Sequence, residues 1–494
     1  MYSIDYDTPS RVHFIGIGGI SMSGLAEILL DRGFKVSGSD RAPSELTQIL
    51  ENKGIRVYYG QEAGNISDDI ELVVYTAAIR KDNEEYAEAV RRGIPMLTRA
   101  QLLGQIMKNY EVSVAVAGTH GKTTTTSMIT DILLAADLDP TISVGGMLKE
   151  IGGNIRIGRS DYFVTEACEY TNSFLSLGPT VNVILNVEED HLDFFKDIKD
   201  IRNSFRRFAQ LLPDNGLLII NADIDDYEEI TEGLKCRVVT VSATRDTGAD
   251  YTASDIEYDN YGCASFRVTR GKESYITESG DEAERTIGKE NGTGTWGGER
   301  ITLHVPGAHN IGNALAAIAL GDHLHISHET IGRGLCNFGG TDRRFQYKGS
   351  FPAAGGGKED KGKVTVIDDY AHHPTEIRAT LTAAANYPHD RIVCVFQPHT
   401  YTRTKAFFDD FVDALTLADV VVLAEIYAAR EKDTLGMSSK LLCDELKKKG
   451  KESYYFSTFD EIEDFLKKKS LGGDLLITMG AGDVVKIGEE LVKE

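Results

Sequence analysis

A short glycine-rich segment between an apolar strand and a helix is the strongest chemical signal in this sequence of 494 residues. The predicted strand Val112–Ala117 runs into Gly118-Thr119-His120-Gly121-Lys122-Thr123-Thr124, and a helix is predicted over residues 125–136. Small residues let backbone N–H groups approach phosphate, and the following helix adds its positive end. Lys122 can reach the β- and γ-phosphates, and Thr123 can ligate Mg²⁺. The segment therefore predicts a phosphate-binding loop for ATP.

A second glycine cluster follows the first predicted strand, residues 12–17. It reads Gly16-Ile17-Gly18-Gly19-Ile20-Ser21-Met22-Ser23-Gly24, and Asp40 ends the next predicted strand. The order is typical of a dinucleotide-binding fingerprint with an acid for the ribose, although the glycine spacing departs from it. It is compatible with an NAD site, with the diphosphate of another nucleotide, or with a tight turn alone.

Acids and a histidine follow two further predicted strands near the phosphate loop. Glu166 ends one strand, and His191 lies in Asp190-His191-Leu192-Asp193 after the strand at residues 181–185. Ligands bind beyond the carboxyl ends of parallel strands, so Glu166 and His191 could both reach a metal ion there. Without the phosphate loop, the Asp190 motif would equally indicate a capped helix start.

Three later motifs suit a nucleotide and a carboxylate. Asn310 and Asn313 share a helix face and could bind an adenine edge, with N-capping by Asn310 as the alternative. Arg344 follows a glycine turn and suits phosphate charge, with a solvated loop arginine as the alternative. Arg403, four residues after His399, could hold a carboxylate bidentately.

The segment Asp368-Asp369-Tyr370-Ala371-His372-His373-Pro374-Thr375-Glu376 also follows a predicted strand. Two histidines beside two acids could hold a metal ion. The proline and threonine instead indicate that Thr375 opens a helix.

The elements that must position these residues alternate between strand and helix, which predicts an α/β fold with doubly wound parallel sheets. Residues 250–305 alternate polar and apolar side chains and predict added antiparallel hairpins. Segments 277–298 and 350–362 are predicted insertions without a role. The second is expected to be a hairpin loop rather than a domain linker, because an apolar strand follows at once.

Bulk composition narrows the function classes. The length suggests about three domains. The formal net charge of -23 argues against nucleic acid as a bulk partner. No apolar run is long enough to span a bilayer, and the 6 dispersed cysteines are typical of reduced thiols.

Together the motifs resemble those of the Mur ligases. The resembling segments keep the family's order across nearly the whole chain: residues 16–24, 117–126, 166–169, 190–193, 306–310, 342–345, 369–376 and 396–399. The resemblance implies a Rossmann-like domain for the UDP substrate over residues 1–110. It implies a central ATP-binding domain over 111–338 and a C-terminal Rossmann-like domain for the amino acid over 339–494.

The resemblance also implies an activity. L-alanine would be joined to the lactyl carboxylate of UDP-N-acetylmuramate through an acyl phosphate, with release of ADP and phosphate, in peptidoglycan precursor synthesis. ATP and Mg²⁺, with Mn²⁺ as an alternative ion, would be required. The enzyme would be cytoplasmic, a monomer or homodimer, without nucleic-acid or membrane partners.

Residue roles are carried over position by position from the same resemblance. The UDP substrate would contact Gly18, Gly19, Ile20, Ser23, Asp40 and Thr76. ATP would contact Gly118, Thr119, His120, Gly121, Lys122, Thr123, Thr124, His309, Asn310, Asn313 and Asp369. Catalysis would depend on Lys122, Glu166, His191 and Arg344. Metal would be bound by Thr123, Glu166 and His191, and the amino acid by His399 and Arg403.

Three other functions remain open from the sequence. A recycling ligase of the same superfamily would add a murein tripeptide to the same sugar nucleotide. An NAD-dependent dehydrogenase would use the first glycine loop but leave Lys122 unexplained. A nucleotide sensor without turnover would not need Glu166, His191 and Arg403 together.

Overall fold

The fold is α/β and has three sheet-containing domains, as the sequence predicts. The computed structural model describes residues 2–76, 78–148, 151–243, 248–271, 273–276, 282–285, 295–354, 362–429 and 431–493. Most of the predicted insertion at 277–298 and residues 355–361 of the second insertion lie outside the described residues. Among the described residues, no helix is both long and apolar enough to cross a membrane.

The N-terminal domain is a parallel five-stranded sheet in the order β3-β2-β1-β4-β5. Its strands are β1 Arg11–Ile15, β2 Lys35–Asp40, β3 Arg56–Tyr59, β4 Leu72–Tyr75 and β5 Met96–Thr98. Its helices are α1 Ile20–Asp31, α2 Glu45–Asn52, α3 Glu84–Arg92 and α4 Arg99–Met107, with a 3₁₀ turn at Ala63–Asn65. The strand order reverses beside β1, which opens a crevice at the carboxyl end of that strand. The glycine loop at residues 16–19 lies there.

The central domain is built on a ten-stranded sheet in the order β17-β14-β13-β12-β11-β10-β6-β9-β7-β8. Its strands are β6 Val112–Ala117, β7 Thr141–Leu148, β8 Gly153–Arg156, β9 Tyr162–Glu166, β10 Val181–Ile184, β11 Leu217–Asn221, β12 Arg237–Ser242, β13 Tyr251–Tyr258, β14 Cys263–Arg270 and β17 Thr295–Pro306; β15 Glu273–Ile276 and β16 Glu282–Arg285 form a separate hairpin. Its helices are α5 Lys122–Ala135, α6 Ile198–Ala209, α7 Glu228–Thr231, α8 His309–His323 and α9 His328–Asn337, with a 3₁₀ segment at Tyr170–Ser176.

Two features of the central domain follow from its residues. Strands β13, β14 and β17 pair antiparallel, which confirms the predicted hairpins. Helix α5 is buried on every side from Thr124 to Leu133, because it packs between the sheet and helices α8 and α9. Gly334 permits the close approach, since a Cβ there would lie 2.7 Å from the Ile132 Cα. Helix α5, which begins at the phosphate loop, is therefore closely packed between the sheet and helices α8 and α9.

The C-terminal domain is a six-stranded sheet in the order β18-β19-β23-β20-β21-β22, in which only β18 is antiparallel. Its strands are β18 Gln346–Pro352, β19 Lys363–Asp369, β20 Arg391–Phe396, β21 Val420–Leu423, β22 Glu452–Tyr455 and β23 Asp474–Met479. Its helices are α10 Pro374–Ala384, α11 Tyr401–Ala406, α12 Phe408–Leu415, α13 Ser439–Lys448, α14 Phe459–Lys469 and α15 Val485–Lys493. The antiparallel pairing of β18 with β19 confirms a hairpin rather than a domain linker.

Three local alternatives are wrong in this structure. The Asp190 motif is a turn rather than a helix start, because His191 has a left-handed φ of 52° and α6 begins only after Asp197. Asn310 does not cap α8, since Ala308 holds that position. Helix α10 begins at Pro374 with His373 as its cap, one residue before Thr375, because proline is favoured in the first helical turn.

Candidate active site

The phosphate loop connects β6 to α5 in a shape that requires glycine. Gly118 and Gly121 have φ values of 147° and 82°, and a Cβ on Gly121 would lie 2.8 Å from Asn313 Oδ1. Asn186, just beyond β10, braces the loop from the side. The His120 N–H donates to Asn186 Oδ1 at 2.7 Å, and Asn186 Nδ2 donates to the His120 carbonyl at 3.0 Å. The side-chain amide of Asn186 therefore helps to hold the loop in shape.

Lys122 lies at the start of α5 and folds back over the loop. Its ammonium donates to the carbonyls of Gly118 and Thr119 and to Glu169 Oε2, the last at 3.1 Å. Burial lowers the pKa of Lys122, but the carboxylate of Glu169 and other nearby charges outweigh it and leave the pKa raised. Lys122 is therefore a charged donor at neutral pH.

A cavity of about 390 Å³ lies between the central and C-terminal domains, with the phosphate loop in its wall. Nucleotide-sized ligands occupy pockets of about 300–1,000 Å³. The predicted residues that line it are His120, Gly121, Thr124, His309, Asn310, Asn313, Arg344 and Asp369. Lining residues that sequence reasoning missed include Asn186, Glu188, Asp223, Phe345 and Glu376. The residues present fit ATP.

The predicted adenine-binding residues are partly engaged with one another. Asn310 Nδ2 donates to the Pro306 carbonyl at 2.8 Å, and Asn313 Nδ2 donates to Asn310 Oδ1 at 3.0 Å. Burial lowers the pKa of His309 to about 4, so its ring is neutral at pH 7. The side-chain oxygen of Asn313 and the neutral imidazole of His309 can therefore accept hydrogen bonds from an adenine base in the cavity.

The C-terminal wall of the cavity holds a buried acid beside a cation. Asp369 accepts hydrogen bonds from the N–H groups of Phe345 and Ala371 at 2.9 and 2.8 Å. Burial raises the pKa of Asp369 to about 6, against the opposing charge of Arg344. The Arg344 guanidinium lies over the Tyr370 ring, 4.9 Å from its centroid. Arg344 thus faces the cavity, rather than being a solvated loop arginine.

The predicted metal ligands contact the glycine pair of β7 on one side and Glu169 on the other. Glu166 Oε1 accepts from the Gly145 N–H at 2.7 Å, and a Cβ on Gly146 would lie 3.3 Å from Thr123 Cγ2. Thr123 and Glu166 thus flank the same glycine pair of β7, and their oxygens are the ligand type that Mg²⁺ prefers. His191 instead lies near Glu169, at 3.8 Å, and forms no ion pair with Glu166 among the described residues.

An array of polar contacts, here called the domain joint, connects the central and C-terminal domains. Protonated His120 lies between two acids, with Nδ1 at 3.1 Å from Glu376 Oε1 and Nε2 at 3.5 Å from Glu188 Oε2. Burial lowers the pKa of His120, but the two carboxylates raise it to about 9. Thr375 Oγ1 donates to Glu188 at 2.7 Å, and His373 Nε2 donates to the backbone carbonyl of residue 189 at 3.0 Å. The phosphate loop therefore contacts helix α10 directly.

His120, Glu188 and His373 also bring three potential metal-ligating atoms within 4.8 Å of one another. Both ring nitrogens of His373 and Nδ1 of His120 are already used, however. His120 Nδ1 faces Glu376, and His373 Nδ1 accepts from the Thr375 N–H at 3.3 Å. The cluster is therefore a hydrogen-bonded joint, and its geometry does not favour a metal ion.

The predicted amino-acid ligands lie at the edge of the same joint. Arg403 Nε and Nη2 donate to Asp190 Oδ1 at 3.1 and 2.8 Å, and Nη1 donates to His399 Nδ1 at 3.0 Å. Burial lowers the pKa of His399 to about 4, so its ring is neutral at pH 7 and Nδ1 can accept the hydrogen bond from Arg403. His191 Nε2 lies 3.7 Å from Asp190 Oδ2. An incoming carboxylate would share Arg403 with Asp190.

The N-terminal glycine loop forms a separate site. The Gly18 N–H donates to Asp40 Oδ2 at 2.8 Å, and a Cβ on Gly16 would lie 3.0 Å from Thr76 Cγ2. Ser23 Oγ donates to the Ile20 carbonyl at 2.9 Å, so it braces the first turn of α1. Gly19 directly precedes that helix, and Ile20 is 56% exposed. The predicted UDP-contacting residues therefore surround one helix N-terminus.

Comparison with known proteins agrees with this geometry. The family models called Mur ligase family, catalytic domain; Mur ligase middle domain; and Mur ligase, glutamate ligase domain match residues 11–111, 116–321 and 343–482. The chain is 57% identical to a protein of Agathobacter rectalis named UDP-N-acetylmuramate–L-alanine ligase, over the full length of both. It is 56% identical to a protein of the same name from Lachnospira eligens, again over both full lengths.

Solved structures agree at the level of the fold. The UDP-N-acetylmuramate-alanine ligase MurC of Thermotoga maritima matches with a TM-score of 0.74 and 29% identity, covering 98% of each chain. A murein peptide ligase of Psychrobacter arcticus matches with a TM-score of 0.67 and 24% identity, covering 98% of each chain, which shows the fold alone. With three family domains in order and relatives similar over their whole length, the chain belongs to the Mur ligase family.

Proposed function

We propose that the chain joins L-alanine to the lactyl carboxylate of UDP-N-acetylmuramate, with cleavage of ATP to ADP and phosphate. The observation that carries the proposal is the cavity between two domains, in which the phosphate loop and the start of α8 share one wall. A separate glycine loop in the N-terminal domain leaves a second nucleotide site for the sugar nucleotide. The relatives at 57% and 56% identity bear the name of this activity.

In the first step, an oxygen of the lactyl carboxylate attacks the γ-phosphorus of ATP, and ADP leaves. Lys122, which pairs with Glu169 at 3.1 Å, would contact the transferring phosphoryl group and offset its negative charge. Bound Mg²⁺, held by Thr123 and Glu166 with His191 as a further ligand, would neutralise charge on the phosphate oxygens. Arg344 adds a cation from the opposite wall. The product of this step is an acyl phosphate.

In the second step, the free amine of L-alanine attacks the acyl carbon, the bond to phosphate breaks, and the proton lost by the nitrogen leaves with the phosphate. Arg403 and His399 would orient the amino acid through its carboxylate. Asp190 contacts both Arg403 and His191, so the acceptor site and the phosphate site share one acid. The domain joint keeps the C-terminal domain against the phosphate loop and limits hydrolysis of the acyl phosphate by water.

Further properties belong to the same proposal. The domain boundaries at residues 110 and 338, the metal ligands and the individual substrate contacts stay predictions. So do a cytoplasmic location in peptidoglycan precursor synthesis, Mn²⁺ as an alternative ion and a monomeric or homodimeric state. The small molecules UDP-N-acetylmuramate, L-alanine and ATP are the proposed partners.

Phosphate release by the purified chain tests the proposal. With ATP, Mg²⁺ and UDP-N-acetylmuramate present, we expect release to depend on L-alanine. Release that depends on murein tripeptide instead would support the recycling ligase. No amino-acid-dependent release would contradict ligation, and release supported by UDP-N-acetylglucosamine would contradict attack by the lactyl carboxylate, which that sugar nucleotide lacks.

A further inference from the structure

A second, smaller cavity lies between the N-terminal and central domains, apart from the ATP cavity. Its volume is about 130 Å³, and its lining includes Ser21 and Arg99 on one side and Glu166, Cys168 and Ser173 on the other. Ser21 lies in the first turn of α1, next to the glycine loop, and Glu166 is the last residue of β9. The cavity therefore lies between the proposed diphosphate loop and a proposed Mg²⁺ ligand.

Arg99 is an uncompensated cation in this cavity. It is the first residue of α4 and is half-buried, and among the described residues its guanidinium forms no ion pair or hydrogen bond. A helix N-terminus carries partial positive charge, so a cation is unfavourable at this position. Burial lowers the pKa of Arg99, as expected for a guanidinium that loses water without gaining a carboxylate. A contribution to the stability of the fold therefore does not explain why an arginine is found at the start of α4.

The neighbouring groups do not supply the missing negative charge. The acids closest in sequence to this wall of the cavity, Glu166 and Glu169, have other partners. Glu169 itself pairs with Lys122 at 3.1 Å, and Glu166 accepts from the Gly145 N–H at 2.7 Å. Among the described residues, no carboxylate pairs with Arg99, so its guanidinium is open to an anionic ligand in this cavity.

We propose that Arg99 binds the lactyl carboxylate of the sugar nucleotide in this cavity before phosphoryl transfer. The proposal rests on the proposed function, because it takes UDP-N-acetylmuramate as the substrate. A guanidinium fork matches a carboxylate with two parallel hydrogen bonds. A volume of about 130 Å³ suits the lactyl arm rather than the whole sugar nucleotide. A carboxylate bound to Arg99 in this cavity would lie near Glu166, and therefore near the proposed metal site.

Calorimetric binding of two sugar nucleotides, without ATP, tests the assignment. UDP-N-acetylmuramate and UDP-N-acetylglucosamine share the diphosphate, but only the first has the carboxylate. We expect Arg99→Gln to weaken binding of UDP-N-acetylmuramate roughly 10- to 100-fold and to leave UDP-N-acetylglucosamine within about twofold. Arg99→Lys should lose less, since the charge remains without the fork. Arg91→Gln is the matched control, because Arg91 is exposed on α3 and pairs with Glu88.

Two results would overturn the assignment. Unchanged binding of UDP-N-acetylmuramate by Arg99→Gln would show that Arg99 does not contact the substrate. Equal weakening of both sugar nucleotides would place the contact on the shared diphosphate or sugar. If Arg99→Gln does not fold, unchanged binding by Arg99→Lys would also overturn it. If the proposed function itself were wrong, the native chain would bind UDP-N-acetylmuramate no more tightly than UDP-N-acetylglucosamine.

Discussion

Replacing Glu376 with glutamine should uncouple the phosphate loop from the C-terminal domain. Glu376 contacts His120 Nδ1 at 3.1 Å and accepts from the backbone N–H groups of residues 372 and 373 at 3.0 and 3.3 Å. Glutamine keeps an oxygen for these N–H groups but removes the charge that holds His120 protonated. A charge-assisted hydrogen bond contributes about 1.5–3 kcal/mol and a neutral one about 0.5–1.5 kcal/mol. The expected loss is therefore about 1–2 kcal/mol.

The sign of the pH effect follows from His120. Its pKa is raised to about 9, and an unfolded histidine titrates near 6.5, so the difference corresponds to about 3 kcal/mol. This contribution is fully present below pH 6.5 and is lost as the pH rises through about 9. In Glu376→Gln the pKa of His120 should fall, because Glu188 is then the remaining acid beside its ring.

Histidine NMR titration and steady-state kinetics measure the two consequences. With His120→Gln to assign the signal, the titration reports the pKa of His120 directly. The KM for ATP should rise roughly 5- to 30-fold, because His120 and Glu376 both line the ATP cavity. Glu461→Gln is the matched control, since Glu461 has the same place in the capping box of α14 but is exposed. An unchanged His120 pKa together with an unchanged KM for ATP would refute the reasoning.

Three further predictions concern catalysis, the domain joint and packing. Lys122→Ala should lower kcat by at least about a thousandfold in protein that is still folded at the assay temperature, and near-normal turnover would contradict its role. Arg403 and Asp190 form a buried ion pair at 2.8 Å. A double-mutant cycle of Arg403→Gln and Asp190→Asn, measured by chemical denaturation, should give a coupling energy of about 1.5 kcal/mol or more. Additive changes in the free energy of unfolding would contradict this prediction. Gly104→Ala places a Cβ 1.9 Å from a backbone oxygen of the central domain and should destabilise by about 2–3 kcal/mol. Gly64→Ala, with nothing within 4 Å, is the control, and equal stability of the two variants would refute the packing argument.

The fold could be predicted from the sequence because its signals are local. Apolar strands that alternate with helices specify the three parallel sheets, and the glycines around Lys122 specify a loop that only such residues can form. The observed helix boundaries differ from the predicted ones by a few residues, because the position of a cap such as His373 depends on how its side chain is placed. The Asp190 motif shows the same limit, since a left-handed His191 ended what looked like a helix start.

The candidate site was only partly predictable, because some partners come from distant parts of the chain. Glu169 belongs to a recognised motif, yet its contact with Lys122 depends on a 3₁₀ segment in which Thr171 has a left-handed φ of 55°. Glu376 has the local pattern of a capping box. That its other oxygen reaches His120 follows from the packing of one domain on another, which no local pattern encodes.

The fate of an oxygen label tests the central claim most directly. UDP-N-acetylmuramate with ¹⁸O at both oxygens of its lactyl carboxylate is incubated with the enzyme, ATP, Mg²⁺ and L-alanine, and both products are analysed by mass spectrometry. Attack of the carboxylate on ATP predicts one ¹⁸O in each released phosphate and UDP-N-acetylmuramoyl-L-alanine with one ¹⁸O in its new amide. Phosphate without label, or label retained in both carboxyl oxygens, would contradict ligation through an acyl phosphate.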